Sequence, residues 1–507
     1  HWDNAAKRTS LKWAQFSMDW QNIQDMPIHH STLIKTLKQI DDIIEYCIND
    51  VASTKAIMYR SKKEIALRQE LTKEYNIDLF SASEPRIAKE LFAMFLSKKT
   101  GIKKYDLKKM RTHRSKLIVN DLLLPYIKFE TATFQRLVSK FRDLELDPYD
   151  LKGSFKYSVR YKGITTHFGL GGVHGARKDI YTSNDEFVIM SSDVTSFYPN
   201  LAIRNKWSPL HLPKEDFCDQ YEWFFDERKK IPKSDPRNYV YKIVLNSTYG
   251  LSNDENSFLY DPELTMRITL NGQLSLMMLY EMICERIPNA VPLMQNTDGL
   301  ETRIPRKYVD AYMEICKEWE DITNLQLEHD TYQKVILADV NNYIAVTEGE
   351  DFKTKCKGRF VFEDLPLHKN KSFLCVRKAM YDYFIYGKDP EQSIKENTNI
   401  FDFCGGVKAK GDWKFFEEHI VNGEHKRDPL QKTVRYYISN GGSKTVKVHS
   451  IDGRVAQVEA GKWLQTMFID YIEKPFEEYD INYDFYIKKA KKEIEALEPK
   501  TNQLQLF

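Results

Sequence analysis

Two short apolar runs, each delivering an aspartate, constrain this chain more than any other feature. Phe187 to Met190 leads directly to Asp193, and Val291 to Asn296 leads into Thr297, Asp298 and Gly299. A short apolar run bounded by polar turn residues reads as a buried strand, so both acids are expected at strand ends. Helical signals lie between them. A helix containing Ser196 to Arg204 is expected after the first strand. The stretch from about Lys214 to Lys230 stops before Pro232, and Asp235 followed by Pro236 is an N-cap with proline in the first helical position. Leu264 to Arg286 reads as one long apolar helix. Strands and helices so ordered predict an α/β (α+β) fold in which a sheet can bring the two acids together.

A chain of 507 residues exceeds one hydrophobic core, and at roughly 100–200 residues per domain it is expected to form about three or four units. Hydrophobic residues at 42% can build such cores, while 29% charged residues and a negative mean hydropathy indicate a water-soluble chain. No run approaches the roughly 18 apolar residues of a membrane helix, and the start at His1 has no signal segment, so no membrane partner and a cytoplasmic location are expected. The seven cysteines contain no Cys-x-x-Cys pair and imply neither a disulfide framework nor a zinc site. At a net charge of +2, any nucleic-acid surface must come from clustering. Between Gly101 and Asn120 seven Lys or Arg face the single acid Asp106, and between Gln431 and Ser450 four face none.

Three blocks carry chemistry. In the first, Asp193 is followed by Val194, Thr195, Ser196, Phe197, Tyr198 and Pro199, a carboxylate leaving a strand into a turn whose amides can meet an anion. In the second, Lys242, Asn246 and Tyr249, next to Gly250, share one helix face that joins a phosphate-binding cation to an amide and a phenol. In the third, Asn296, Thr297, Asp298 and Gly299 again place an acid at a turn. Alone, each has a bland alternative: a capped helix start, a solvated helix face and a hairpin turn.

In this order, the blocks resemble the three polymerase motifs of the family B (polymerase-alpha-like) DNA polymerases, with a spacing similar to the bacteriophage type. The similarity runs over essentially the whole chain. Tyr46 and Asp50 resemble the last exonuclease motif. Gly171, Gly172, His174, Gly175 and Ala176 resemble the glycine-rich link to the polymerase domain, Tyr343 with Lys357 and Gly358 the end of a palm, and Lys432, Arg435, Tyr436 and Tyr437 a thumb segment.

The resemblance implies a right-hand polymerase. Its parts would be an exonuclease remnant over 1–70 with an RNase H-like origin, a connecting region and the start of the palm over 71–185, an antiparallel-sheet palm over 186–213 and 251–350, short two-helix fingers over 214–250, a mostly helical thumb over 351–495 and a tail over 496–507. It implies primer extension on template DNA from dNTPs, with Asp193 and Asp298 holding two Mg²⁺, or Mn²⁺ in substitution, aided by the backbone at Val194. Ser196, Phe197, Arg228, Lys242 and Asn246 would hold the nucleotide, and Tyr198 would exclude a ribose 2′-hydroxyl. Gly171, Gly172, Tyr249, Gly250, Thr297, Tyr343, Lys357, Lys432, Arg435 and Tyr436 would contact DNA, together with Lys444, Lys447 and the basic runs. The terminal Gln503, Leu504, Gln505, Leu506 and Phe507 resemble the peptide that docks on a bacterial-type sliding clamp.

Departures from the pattern are specific. Asn296 stands where the family carries a first aspartate, and is expected to tune rather than abolish activity. Pro232 falls where a second fingers cation is usual, leaving Lys229, Lys230 or Lys233 to substitute. Asn341 and Asn342 precede Tyr343 in place of a lysine, so hydrogen bonds rather than charge are expected to grip the primer. Asp50 is the one exonuclease carboxylate present, so the chain is expected to be a fragment lacking 3′-to-5′ exonuclease activity. The competing readings are a catalytically silent polymerase fold that binds DNA or a clamp, and an RNA-copying or untemplated transferase.

Overall fold

The computed structural model describes residues 9–349, 352–457 and 465–498. The chain divides into two compact units, Leu67–Lys357 and a second in which residues up to Ala66 join Gly358–Glu498. Both mix helices with antiparallel strands.

In the first unit, α1 (Glu84–Thr100) precedes strands β1 (Tyr157–Tyr161), β2 (Ile164–Phe168), β3 (Val173–Ala176), β4 (Asp179–Thr182) and β5 (Phe187–Val194). Helices α2 (Phe197–Arg204), α3 (Lys214–Lys230), α4 (Pro236–Leu251) and α5 (Pro262–Arg286) follow. Next come β6 (Val291–Asn296), β7 (Gly299–Pro305), α6 (Val309–Thr323), β8 (Leu327–Asp339), β9 (Asn342–Thr347) and β10 (Thr354–Lys357). The ten strands form one sheet in the order β10-β9-β8-β5-β7-β6-β3-β2-β1, with β4 also paired to β8.

Period-two alternation sorts the sheet's faces. Val188, Met190 and Val194 of β5 enter the large core with α5 and α6, whereas Ile189 joins a smaller cluster with Tyr332, Val335 and Tyr343 on the other face. Asp193 shares parity with Ile189 and therefore emerges on the face away from the helices. The packing on the helical face is tied by the Trp319 indole, which donates to the Ser275 carbonyl at 2.7 Å, and by a 2.7 Å bond between Ser192 and Tyr312 hydroxyls.

Helices α3 and α4 form the expected hairpin. Asp235 caps α4 by accepting from the Arg237 amide, and the Asn238 amide donates to the carbonyls of Arg228 and Ile231, closing the connection. Phe92 of α1 stacks on Phe217 of α3 with centroids 5.1 Å apart, and the Tyr221 hydroxyl donates to the Leu245 carbonyl, so the hairpin rests on an aromatic base.

The second unit corrects one expectation. The region 351–495 is not mostly helical: beside helices such as Leu374–Tyr386 and Tyr483–Glu495 it holds a six-stranded antiparallel sheet built around the long strand Thr433–His449. Three valines, two threonines and two tyrosines lie along that strand, and these β-branched and aromatic side chains suit a pleated surface. Thr36 and Gln39 form a capping box at the start of helix Leu37–Arg60, and Ser61 ends it before Lys62–Tyr75 begins. On the first of these helices Leu37, Ile40, Ile44 and Val51 face outward rather than into a core.

Among the described residues no helix is long and apolar enough to cross a membrane. The tail residues Gln503 to Phe507 lie outside the described residues.

Candidate active site

The sheet brings the two acids together. Asp193, near the end of β5, pairs in register with Gly299, the residue after Asp298, and the Val194 amide donates to the Asp298 carbonyl at 2.7 Å. A side chain at position 299 would collide with the acid, because a Cβ there would lie 1.8 Å from Asp193 Oδ1. Asp193 is half-buried and Asp298 exposed, and neither forms an ion pair among the described residues. Burial pushes the Asp193 carboxyl above its ordinary range; Lys355 opposes the shift, while Asp298, Asp330 and Glu328 add to it by like charge.

Both acids open into a cavity of about 730 Å³. One wall is the turn into α2, where Ser196 adopts a left-handed conformation, with φ 46°, and Phe197 begins the helix. Tyr198 stands beside them, its hydroxyl donating to the Gly171 carbonyl at 2.7 Å and its ring edge-on to Tyr249 at 4.8 Å. Another part of the lining is cationic. Lys242, Asn246 and Tyr249 reach the cavity from one face of α4, and Arg228, Lys229 and Lys233 from the end of α3 and its connection.

Arg228 donates to the Ser196 hydroxyl at 3.4 Å, and its buried Nε has no partner in the protein. Burial lowers its pKa, with Glu328 opposing. Of the three candidate lysines, Lys229 and Lys233 line the cavity, whereas Lys230 is engaged by Glu227 at 2.8 Å.

The remaining motif residues divide by position. Thr297 lines the cavity, and Gly172, at φ 157°, abuts it so closely that a Cβ would meet Thr297 Cγ2 at 2.8 Å. Gly250 is exposed near the end of α4. Tyr343 is buried on β9, in register with Lys357 of β10, whose ammonium sits 5.7 Å from the Tyr343 ring centre.

The other predicted residues lie in the second unit. Arg435 is 1% exposed and donates to the carbonyls of Trp20, Gln21, Ile469 and Asp470 at 2.5–3.0 Å. Tyr436 is buried with its ring against Phe373. Both expectations of DNA contact are therefore corrected, since these side chains are spent inside the unit. Lys432 and Lys444 are open to solvent, and Lys447 lies over Trp413. Asp50 is paired to Lys12 at 2.5 Å, and that ammonium also lies 4.5 Å from the centre of the Tyr46 ring. Burial, followed by the hydrogen bond to Asp50, pushes the Tyr46 phenol up to about 12.

The basic run after Gly101 is also partly spent. Lys104 and Lys108 pair with Glu90, Arg114 with Asp261 and Glu263, and Lys116 with Glu145. Arg111 donates to the carbonyls of Lys108, Met110, Glu255 and Asn256, which leaves Lys103 and, over the Tyr105 ring, Lys109 to meet a polyanion.

Three charged groups at the site went unnoticed in the sequence. Glu328 of β8 pairs in register with Asp193, lines the cavity and accepts from the Thr195 hydroxyl at 3.2 Å. Glu301 of β7 pairs with Ser191 on the Asp193 face; it is 5% exposed, and its Oε2 has no partner. Lys355 of β10 carries a positive charge to this group: burial lowers its pKa, but Tyr332, Asp193, Glu301 and Asp330 outweigh that and raise it. Alternation along β8 puts Glu328 and Asp330 on one face, but nothing in the sequence signalled that this face adjoins Asp193, nor the positions of Glu301 and Lys355.

The two carboxylates offer only oxygen donors, which would suit a hard cation such as Mg²⁺, and Val194 lines the cavity beside them. Among the described residues no group of three or more His, Cys, Asp or Glu forms a closed metal cage. Magnesium typically uses one or two carboxylates and completes its shell with water and substrate phosphates. No protein-family model matches the chain, and no curated protein matches it.

Proposed function

We propose that this protein is a template-directed DNA polymerase that adds deoxynucleotides to a primer 3′ end. The observation that carries the reading is the convergence of Asp193 and Asp298 at one cavity whose other walls are the Tyr198 ring and the cations Arg228 and Lys242. Bound at Asp193, Asp298 and the Val194 carbonyl, two Mg²⁺ would supply neutralisation of the attacking and leaving oxygens in an in-line phosphoryl transfer.

The chain's own side chains do the rest. Arg228, with an unsatisfied buried Nε, and Lys242 bind the triphosphate, with Lys229 and Lys233 as the neighbouring cations. Asn246 and the first turn of α2 at Ser196 and Phe197 orient it. The Tyr198 ring, fixed on two sides, fills the space beside the sugar and excludes a 2′-hydroxyl. Gly171, Gly172, Tyr249, Gly250 and Thr297 meet the templating base pair, and Lys357, beside the buried Tyr343 ring, meets the primer; Tyr343 itself is too buried for the DNA contact expected of it. Lys355 brings charge to the side of the sheet that lacks a lysine before Tyr343. The tail Gln503, Leu504, Leu506 and Phe507 tethers the enzyme to a bacterial-type sliding clamp, a role tested by clamp-stimulated synthesis before and after removal of residues beyond Asn502.

The test is primer extension on a defined template with each dNTP omitted in turn. Products should stop one position before the template base that calls for the missing nucleotide. Asn296 favours a second reading, a DNA-binding protein without synthesis, which predicts retained primer–template binding and no product in any lane. Extension that ignores the template would replace both with an untemplated transferase.

A further inference from the structure

We infer that Gly272, inside α5 and outside every motif, is a positioning residue that sets the place of the Tyr198 ring and through it the sugar selectivity of the site. The inference rests on Tyr198 acting as the sugar gate.

No backbone requirement explains a glycine here. α5 runs without interruption for 25 residues, and Gly272 has no left-handed φ. Glycine in a helix interior is unfavourable relative to alanine. The requirement is space. A Cβ at position 272 would lie 2.8 Å from Tyr198 Cε1, 3.2 Å from Leu201 Cδ1 and 3.4 Å from Phe197 Cζ. The first distance is closer than two carbon atoms can pack without one of them moving.

The ring is held from two further directions. Its hydroxyl is anchored on the Gly171 carbonyl at 2.7 Å, and the Tyr249 ring meets it at 65° with centroids 4.8 Å apart. Three segments far apart in the chain therefore hold one ring: the glycine link, α4 and α5. The α5 backbone lies in the core, with residues on both sides of Gly272 buried, and does not give way. An added methyl instead drives the ring away from α5, into the cavity that Tyr198 lines and into the space of the nucleotide sugar.

Single-nucleotide primer extension on a defined template tests this with the full chain, comparing a dNTP with its matching rNTP. The proteins are wild type, Gly272→Ala, Tyr198→Ala and the double variant. Gly272→Ala should raise the KM for the dNTP about fivefold with little change in kcat, and lower rNTP use further. In the Tyr198→Ala background the same substitution should change neither quantity by more than about twofold, because the atom it displaces is gone.

Wild-type KM and sugar preference in Gly272→Ala would overturn the inference, as would equal shifts in both backgrounds. Should Gly272→Ala fail to fold by circular dichroism, the double variant must recover a cooperative melting transition; a double variant that stays unfolded also overturns it. A Tyr198→Ala enzyme with wild-type sugar preference removes the gate itself, an outcome distinct from failure at Gly272.

Discussion

At the scale of single residues, the site works by placing charge where it is poorly solvated. Asp193 shares its face of the sheet with Glu301, and Gly299 contributes nothing but room for the Asp193 carboxylate. Burial, then the charges of Asp193 and Asp298, push the Glu301 carboxyl from 4.5 to about 8, with Lys355 pulling the other way. The sign of the effect on stability follows. A carboxyl whose pKa is raised by folding contributes fully below its unfolded pKa, and that contribution is lost as pH rises through the folded value. In EDTA, Glu301→Gln should therefore melt progressively higher than wild type between about pH 5 and about pH 9. Thermal unfolding across that range checks this, and parallel curves for the two proteins would mean that Glu301 ionises freely in the fold.

At the scale of elements, what could be read from the sequence followed from how local the signal was. The strands ending at Asp193 and Asn296 were legible because their apolar runs are bounded by turn residues, and α3 and α4 because Pro232 stops one and Asp235-Pro236 starts the other. Glu328 was not, since its place beside Asp193 depends on the register between β8 and β5 rather than on any neighbour in sequence. Arg435 misled for a similar reason. In sequence it joins a basic run, but the strand Thr433–His449 turns it inward onto four carbonyls. Arg435→Met should leave those acceptors unpaired and cost about 3 kcal/mol in urea denaturation, with no change in the salt dependence of DNA binding. A variant as stable as wild type but weaker on DNA would return Arg435 to a phosphate-contacting role.

At the scale of the whole molecule, the proposed activity requires residues spread from Gly171 to Glu328 to surround one cavity, and the first unit supplies them from the glycine link, three strand ends and three helices. This assembly was only partly legible: the motifs named the acids and the cations, while the sheet order that joins them came from pairings across more than a hundred residues. The second unit adds a sheet that the sequence had read as mostly helix, and its solvent-facing lysines remain the candidates there for contact with a polyanion. The central claim is that Asp193 and Asp298 act as one metal-dependent centre. The direct measurement is primer extension by Asp298→Asn in Mg²⁺, alongside its affinity for primer–template DNA. Synthesis should fall by about 10³-fold or more while DNA affinity stays within a few-fold of wild type. Near-normal extension by that variant would contradict the account.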